Sequence, residues 1–267
     1  MHFNFPFTFA QVTWTLTFAA DLVLLVVLLG RDRMARYPWF FTGIALFALR
    51  LLMEMLLTGR LPTFILQSIM IAMADVAAIV SLLVVLEIGR RAFGSVPRLT
   101  WINGVMALVV VAVAVVAFWG PWPSRQDLTW ASPLAVLKLM QLAAQKADML
   151  ADLLAVEVGL LVVVIGRRFK AGWRSHTQSI VIGLAAVAIA WLAVQGIWLS
   201  LTRHAHPTTR LELERIVALG TRLINANKIV YIAALIWWIV WLWFDEPGAA
   251  QREGLAVEPV AGTEEKA

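Results

Sequence analysis

The chain has 267 residues, of which 61% are hydrophobic, and it carries a formal net charge of +5. This apolar fraction is far above that of a soluble domain and indicates membrane-spanning segments, while the absence of cysteine excludes disulfides, thiolate catalysis and cysteine-ligated metals. The basic residues lie mostly in short loops between apolar runs, where they set membrane orientation, so the positive charge does not indicate a nucleic-acid partner.

Seven apolar segments follow one another along the chain, and each is long enough to cross a hydrocarbon core of about 30 Å at about 1.5 Å per residue. They predict transmembrane helices over residues 10–30, 38–58, 64–89, 100–120, 132–166, 178–201 and 210–244. Residues 1–246 are therefore predicted to form one all-α, seven-helix membrane bundle. Residues 247–267 are rich in Ala, Gly, Pro and Glu, which predicts a disordered cytoplasmic tail.

Basic residues concentrate in every second loop, which predicts the orientation of the bundle. The loops after the first, third and fifth segments contain Arg31, Arg33, Arg36, Arg90, Arg91, Arg98, Arg167, Arg168, Lys170 and Arg174. The positive-inside rule then places the N-terminus outside and the C-terminus in the cytoplasm, although Arg203, Arg210 and Arg215 in the last outer loop partly break the pattern. We expect the chain in a plasma membrane or a bacterial inner membrane.

Five segments carry ionisable residues in their interior, where charge is costly and needs a partner. Counting about 1.5 Å per residue from the predicted cytoplasmic ends brings five of these residues into one layer, about 20–25 Å from the inner boundary. They are Arg50, Glu54, Asp75, Asp152 and Lys228. The layer contains both signs of charge, so ion pairs are predicted within it.

Two polar stripes reach this layer from the outside. On the fifth segment, spacings of three and four residues align Lys138, Gln141, Gln145, Asp148 and Asp152 on one helix face, and the seventh segment similarly aligns Glu214, Thr221, Asn225 and Lys228. Stripes that stop in mid-membrane predict an outward-facing polar cavity, because polar side chains are tolerated there when they line water. The candidate ligand- or ion-binding residues are Arg50, Glu54, Asp75, Asp148, Asp152, Asn225 and Lys228.

Asp21 and Glu157 lie at a second, deeper level, each 10 residues from the cytoplasmic end of its segment, with no basic residue near that depth. A buried carboxyl group without a cation tends to hold a proton. We therefore expect at least one of these two side chains to be proton-carrying at neutral pH.

Three local patterns predict packing and helix ends. Isolated glycines inside the segments (Gly43, Gly159, Gly183 and Gly196) predict close helix contacts. Thr209 with Glu212 predicts a capping box at the start of the seventh helix. The fourth segment is almost purely Val, Ala and Leu, which predicts a peripheral, lipid-facing helix.

The function favoured by these features is binding or transport of a small polar or charged solute or ion. No GxGD, HExxH or GxSxG pattern is present and none of the four histidines lies inside a predicted span, so no enzyme activity, metal or cofactor is predicted. The alternatives are a non-catalytic scaffold or accessory subunit of a larger membrane complex, a sensor whose output domain is on another protein, and ion pairs that only fix helix packing. The predicted partners are the lipid bilayer, the solute or ion, and another membrane protein or a second copy of the chain.

Overall fold

The computed structural model describes residues 8–94, 96–119, 122, 132–165, 175–204 and 209–245, and these residues form eight helices without a strand. In chain order the helices are α1 (Phe9–Gly30), α2 (Arg33–Arg36), α3 (Pro38–Leu57), α4 (Thr63–Ala92), α5 (Arg98–Phe118), α6 (Pro133–Ile165), α7 (His176–His204) and α8 (Arg210–Trp243). The described chain is therefore all-helical, as predicted, and the long helices begin and end within a few residues of the predicted segments. The single-turn helix α2 was not predicted, because four residues are too few to carry a periodic pattern. The predicted tail, 247–267, lies outside the described residues.

Six of the described helices are long and apolar enough to cross a membrane, namely α1, α3, α4, α5, α7 and α8. These lengths and compositions are those of a multi-pass membrane protein. The helix α6 has 33 residues, but it carries Lys138, Lys146, Asp148, Asp152 and Glu157 along its length. A seventh crossing, by α6, remains a prediction.

The helices α1, α3, α4, α6, α7 and α8 pack in that order as a ring, which α8 closes against α1. Across the ring, α4 also touches α7. The helix α5 packs mainly on α6, and Met106, Val110 and Val111 on its surface are exposed. This position agrees with the peripheral location predicted for the fourth segment.

The hydrophobic core occupies one half of the bundle, toward the end where α1, α4 and α8 finish and α3 and α7 begin. Its largest buried side chains include Tyr37, Phe40 and Trp238. The Phe40 and Trp238 rings meet edge to face with 5.2 Å between their centroids. The opposite half is more open and contains two large cavities.

Polar contacts join the helix ends beneath the core. The Arg33 guanidinium donates to the Asp245 carboxylate at 3.0 Å, and the hydroxyls of Tyr37 and Thr177 share a hydrogen bond of 2.8 Å. These contacts bring the start of α3, the start of α7 and the end of α8 to the same end of the bundle as the loop after α1. Arg91, near the end of α4, lies over the Tyr37 ring at 5.2 Å from its centroid, so the arginine-rich loops after α1 and α4 share one end of the molecule.

The start of α3 is capped by a side chain from another helix. Trp39 and Phe40 donate their backbone N–H groups to the Glu87 carboxylate of α4 at 3.1 and 3.2 Å. Arg91, one turn further along α4, forms an ion pair with Glu87 at 3.5 Å, and only 7% of the Glu87 side chain is exposed. A carboxylate at a helix N-terminus satisfies free amides and complements the helix dipole, so Glu87 fixes α3 against α4.

The glycine and capping predictions are confirmed. A Cβ atom on Gly159 would meet Ala185, one on Gly183 would collide with the Trp238 indole, and one on Gly196 would lie 3.3 Å from Trp119. On Gly43 it would lie 3.4 Å from a Val84 methyl. At the start of α8, the Thr209 side chain accepts from the Glu212 amide and the Glu212 side chain accepts from the Thr209 amide.

Candidate functional site

A cavity of about 340 Å³ lies between the second half of α3, the first half of α4 and the first half of α6. These segments are at the end of the bundle opposite the arginine-rich loops. The polar residues in its walls are Arg50, Gln67, Lys138, Gln141, Gln145 and Asp148. The volume is within the range of small-molecule sites, about 300–1,000 Å³.

The predicted stripe of α6 supplies most of this polar wall, because spacings of three and four residues keep its members on one helix face. Lys138 and Gln141 are exposed near the start of α6, whereas Asp148 is partly buried further along. Arg50 of α3 is also partly buried. The exposure of the polar side chains therefore falls from the mouth of the cavity to its base. Arg50 and Asp148 reach this base from two different helices. Asp152 continues the stripe one turn beyond the cavity walls and is partly buried.

Asp148 is the electrostatic centre of this group. The Arg50 guanidinium attracts the Asp148 carboxylate, and Asp75 of α4 repels it. Asp148 in turn repels Asp152. Asp148 therefore interacts with one guanidinium and with two other aspartates.

The charged groups at the base of the cavity do not form ion pairs with each other. In the described part of the chain, the ion pairs within 4 Å involve other residues, which are Arg31, Arg33, Glu87, Arg91, Arg210, Glu214 and Asp245. The charged atoms of Arg50 and Asp148 therefore stay available to a molecule that enters the cavity. The ion pairs predicted for this layer are not observed among the described residues.

Five of the seven candidate residues are not in the cavity walls. Asp75 and Asp152 interact electrostatically with Asp148 from outside the walls, and the other three are on different surfaces. Glu54 is exposed on α3, one turn beyond Arg50, and is not part of the walls. Asn225 and Lys228 are on α8, which packs against α1 and α7, and Lys228 is exposed. Equal depth along the helices does not bring Asn225 and Lys228 to the cavity, because the ring order separates α8 from the walls formed by α3, α4 and α6.

Comparisons with known proteins add no functional assignment. No protein-family model, curated protein or solved structure matches the chain. Function must therefore be inferred from the chemistry of the cavity and of the buried polar groups around it.

The two deeper acids occupy separate places. The Asp21 side chain on α1 is fully buried, and its Oδ1 accepts a 3.1 Å hydrogen bond from the Tyr231 hydroxyl of α8. Among the described residues, Asp21 Oδ2 and Glu157 Oε2 are buried without a hydrogen-bond partner. Glu157 is on α6, which packs on α4, α5 and α7 rather than on α1. The two acids thus belong to different helix interfaces, and neither lines the cavity.

The roles of Tyr231 and Lys146 were not predicted from the sequence. The ammonium group of Lys146 on α6 donates to the carbonyl oxygens of Trp119 and Val116 at the end of α5, and it lies 4.7 Å from the Trp122 ring centroid. A cation at a helix C-terminus satisfies free carbonyls and complements the dipole, so Lys146 attaches α5 to α6. In the sequence, Lys146 differs from Lys138 only in lying off the polar stripe of α6, and this was the only available signal of its different role.

Proposed function

We propose that this chain is a seven-helix membrane protein that binds or transports a small polar or charged solute or ion through the cavity between α3, α4 and α6. The observation that carries the proposal is the convergence of Arg50 and Asp148 at the cavity base without a mutual ion pair closer than 4 Å. Partly buried charges inside a helix bundle are costly unless a partner compensates them, and a bound solute or ion would supply that partner. The proposal contains no catalytic step.

The direction of access follows from the distribution of the core. The packed half of the bundle is at the arginine-rich end, and the cavity is in the other half. If the arginine-rich end faces the cytoplasm, as the positive-inside rule predicts, the cavity opens to the outside. The proposed site is then in the outer half of a plasma membrane or a bacterial inner membrane.

The walls offer groups for both signs of charge. Arg50 and Lys138 suit a carboxylate or another anionic group, and Asp148, with Asp75 nearby, suits an ammonium group or a cation. The amides of Gln67, Gln141 and Gln145 donate and accept hydrogen bonds. This combination favours a solute with separated positive and polar or negative groups over a purely apolar one.

Calorimetric titration of the purified full chain tests the proposal with four probes: glycine, acetate, methylammonium and sodium ions. We expect at least one probe to bind, and we expect Asp148→Asn and Arg50→Gln to weaken its binding at least about tenfold, the loss that follows from removing a charged hydrogen-bond partner. Lys138→Gln, at the exposed mouth, provides a wall variant that does not alter the buried base.

Glu54→Gln is the matched control, because Glu54 is a charged residue on α3 outside the walls. It should bind the probe as the parent chain does. The proposal is overturned if none of the four probes binds, or if a probe binds equally well to the parent chain and to all three wall variants.

A further inference from the structure

A second and larger cavity, of about 670 Å³, lies on the other side of α6, between α6, α7 and α8. Its walls include Gln145, which also lines the smaller cavity, and Trp119 just after α5. The helices α7 and α8 are both long and apolar enough to cross a membrane. The cavity is therefore bordered by two candidate membrane spans.

The walls of this cavity are mainly aromatic and aliphatic. Three indole rings, from Trp119, Trp191 and Trp198, line it together with Leu, Val, Ile and Met side chains. Gly220 on α8 lies directly against Trp198, whose ring would collide with a Cβ atom at that position. The walls therefore match a ligand with a long apolar or planar body. Transfer of such a ligand from lipid to the cavity is favourable only if it packs closely on these rings, because lipid is itself apolar.

Three polar side chains in the walls are already hydrogen-bonded within the protein. The Lys146 ammonium is hydrogen-bonded to carbonyls at the end of α5, and the Thr202 and Thr221 hydroxyls each donate to a carbonyl of their own helix at 3.0 Å. The side-chain amides of Gln145 and Gln195 make no hydrogen bond to other described residues. The walls contain no carboxylate. The wall groups without a hydrogen-bond partner among the described residues are thus all uncharged: the two side-chain amides and the indole N–H groups of Trp119, Trp191 and Trp198.

We propose that the cavity between α6, α7 and α8 binds an uncharged amphiphile from the membrane. Its apolar body packs on Trp191 and Trp198, and the hydroxyl or carbonyl oxygens of its head hydrogen-bond with Gln145 and Gln195. A cationic head is disfavoured, because the walls contain the Lys146 ammonium and no carboxylate. An anionic head is disfavoured because it would have to displace the carbonyls and the Trp122 ring that Lys146 already contacts. A fully apolar molecule is disfavoured as well, because it leaves both amides without partners.

Native mass spectrometry of the full chain in mild detergent tests this with three probes that differ only in their heads: 1-oleoylglycerol, oleate and octadecene. We expect one 1-oleoylglycerol to be retained per chain, with the other two retained at least about tenfold less, the discrimination that follows from one or two hydrogen bonds made or left unmade. Gln195→Leu, which affects only the larger cavity, should reduce 1-oleoylglycerol retention by a similar factor.

Val194→Trp places bulk into the cavity and should abolish retention, whereas Ile197→Trp adds the same bulk to an exposed position of the same helix outside the walls and should leave retention unchanged. Equal retention of all three probes overturns the proposal, as does full retention by Val194→Trp or by Gln195→Leu. Co-purification of a partner chain that excludes 1-oleoylglycerol also overturns it. Because Asp148→Asn and Arg50→Gln do not alter these walls, failure here is separable from failure of the solute-binding proposal.

Discussion

The Tyr231 hydroxyl on α8 donates a 3.1 Å hydrogen bond to the carboxyl group of Asp21 on α1. This contact joins residues that are 210 positions apart in the chain. Asp21 is 0% exposed, and its second oxygen has no partner among the described residues. The Tyr231 ring also packs against Phe47 of α3, with 4.8 Å between centroids. The pair therefore lies where α1, α3 and α8 meet.

Removing the Tyr231 hydroxyl should weaken this junction. We expect Tyr231→Phe to lower the free energy of unfolding by about 1–3 kcal/mol, because it leaves a buried carboxyl oxygen without a donor. Asp21→Asn, which keeps an acceptor for Tyr231 and removes the ionisable group, should cost less. Reversible unfolding in mixed micelles measures both variants, and equal stability of Tyr231→Phe and the parent chain would contradict the expectation.

The Glu87 cap of α3 gives a second prediction. Glu87→Ala should destabilise the protein by about 1–3 kcal/mol, because two backbone amides lose a charged acceptor and Arg91 loses its ion-pair partner. Glu87→Gln should cost less, since its amide oxygen still accepts. The control is Glu214→Ala, whose partner Arg210 is 91% exposed; we expect no measurable change there. A smaller effect at Glu87 than at Glu214 would be inconsistent with a capping role.

The contact between Gly183 and Trp238 predicts that stability falls sharply when the side chain at position 183 is enlarged. Gly183→Ala should cost about 1–3 kcal/mol, because its Cβ collides with an indole that is 1% exposed and has little room to move. Gly104→Ala is the matched control, because a Cβ atom there meets nothing within 4 Å. That control should be neutral or slightly stabilising, given the higher helix propensity of alanine. Thermal unfolding followed by far-UV circular dichroism compares the two; similar losses would argue against the packing explanation.

The crossing of α6 can be tested by labelling, because the chain has no native cysteine. We expect a membrane-impermeant maleimide to label Ser132→Cys, before α6, in intact cells. Ala171→Cys, after α6, should be labelled only after permeabilisation. Arg60→Cys and Gly94→Cys report the two sides independently, since they flank α4, one of the apolar candidate spans. Labelling of Ser132→Cys and Ala171→Cys from the same side would rule out a seventh crossing.

The helices and the α6 wall of the cavity could be predicted from the sequence, because both depend on local periodicity. Lys138, Gln141, Gln145 and Asp148 share a face through spacing alone, and they line one cavity. The position of Lys228 could not be predicted, because depth along a helix does not specify which neighbours that helix has.

The contacts of Glu87 and Tyr231 were not predicted either, and for the same reason. Glu87 bonds to residues 47 and 48 positions away in the chain, and Tyr231 to a residue 210 positions away. Neither partner is encoded by local spacing. Such pairs follow only from the tertiary arrangement of the helices.

Gln145 lies in the walls of both cavities, so its side-chain amide connects the two proposed sites across α6. A solute that holds this amide in the smaller cavity withdraws a hydrogen bond from the amphiphile in the larger one, and the converse also holds. Because linkage between two sites is reciprocal, each ligand then lowers the affinity of the other by the same factor. Were both proposed sites to bind their ligands, the amphiphile content of the membrane would change the affinity for the solute.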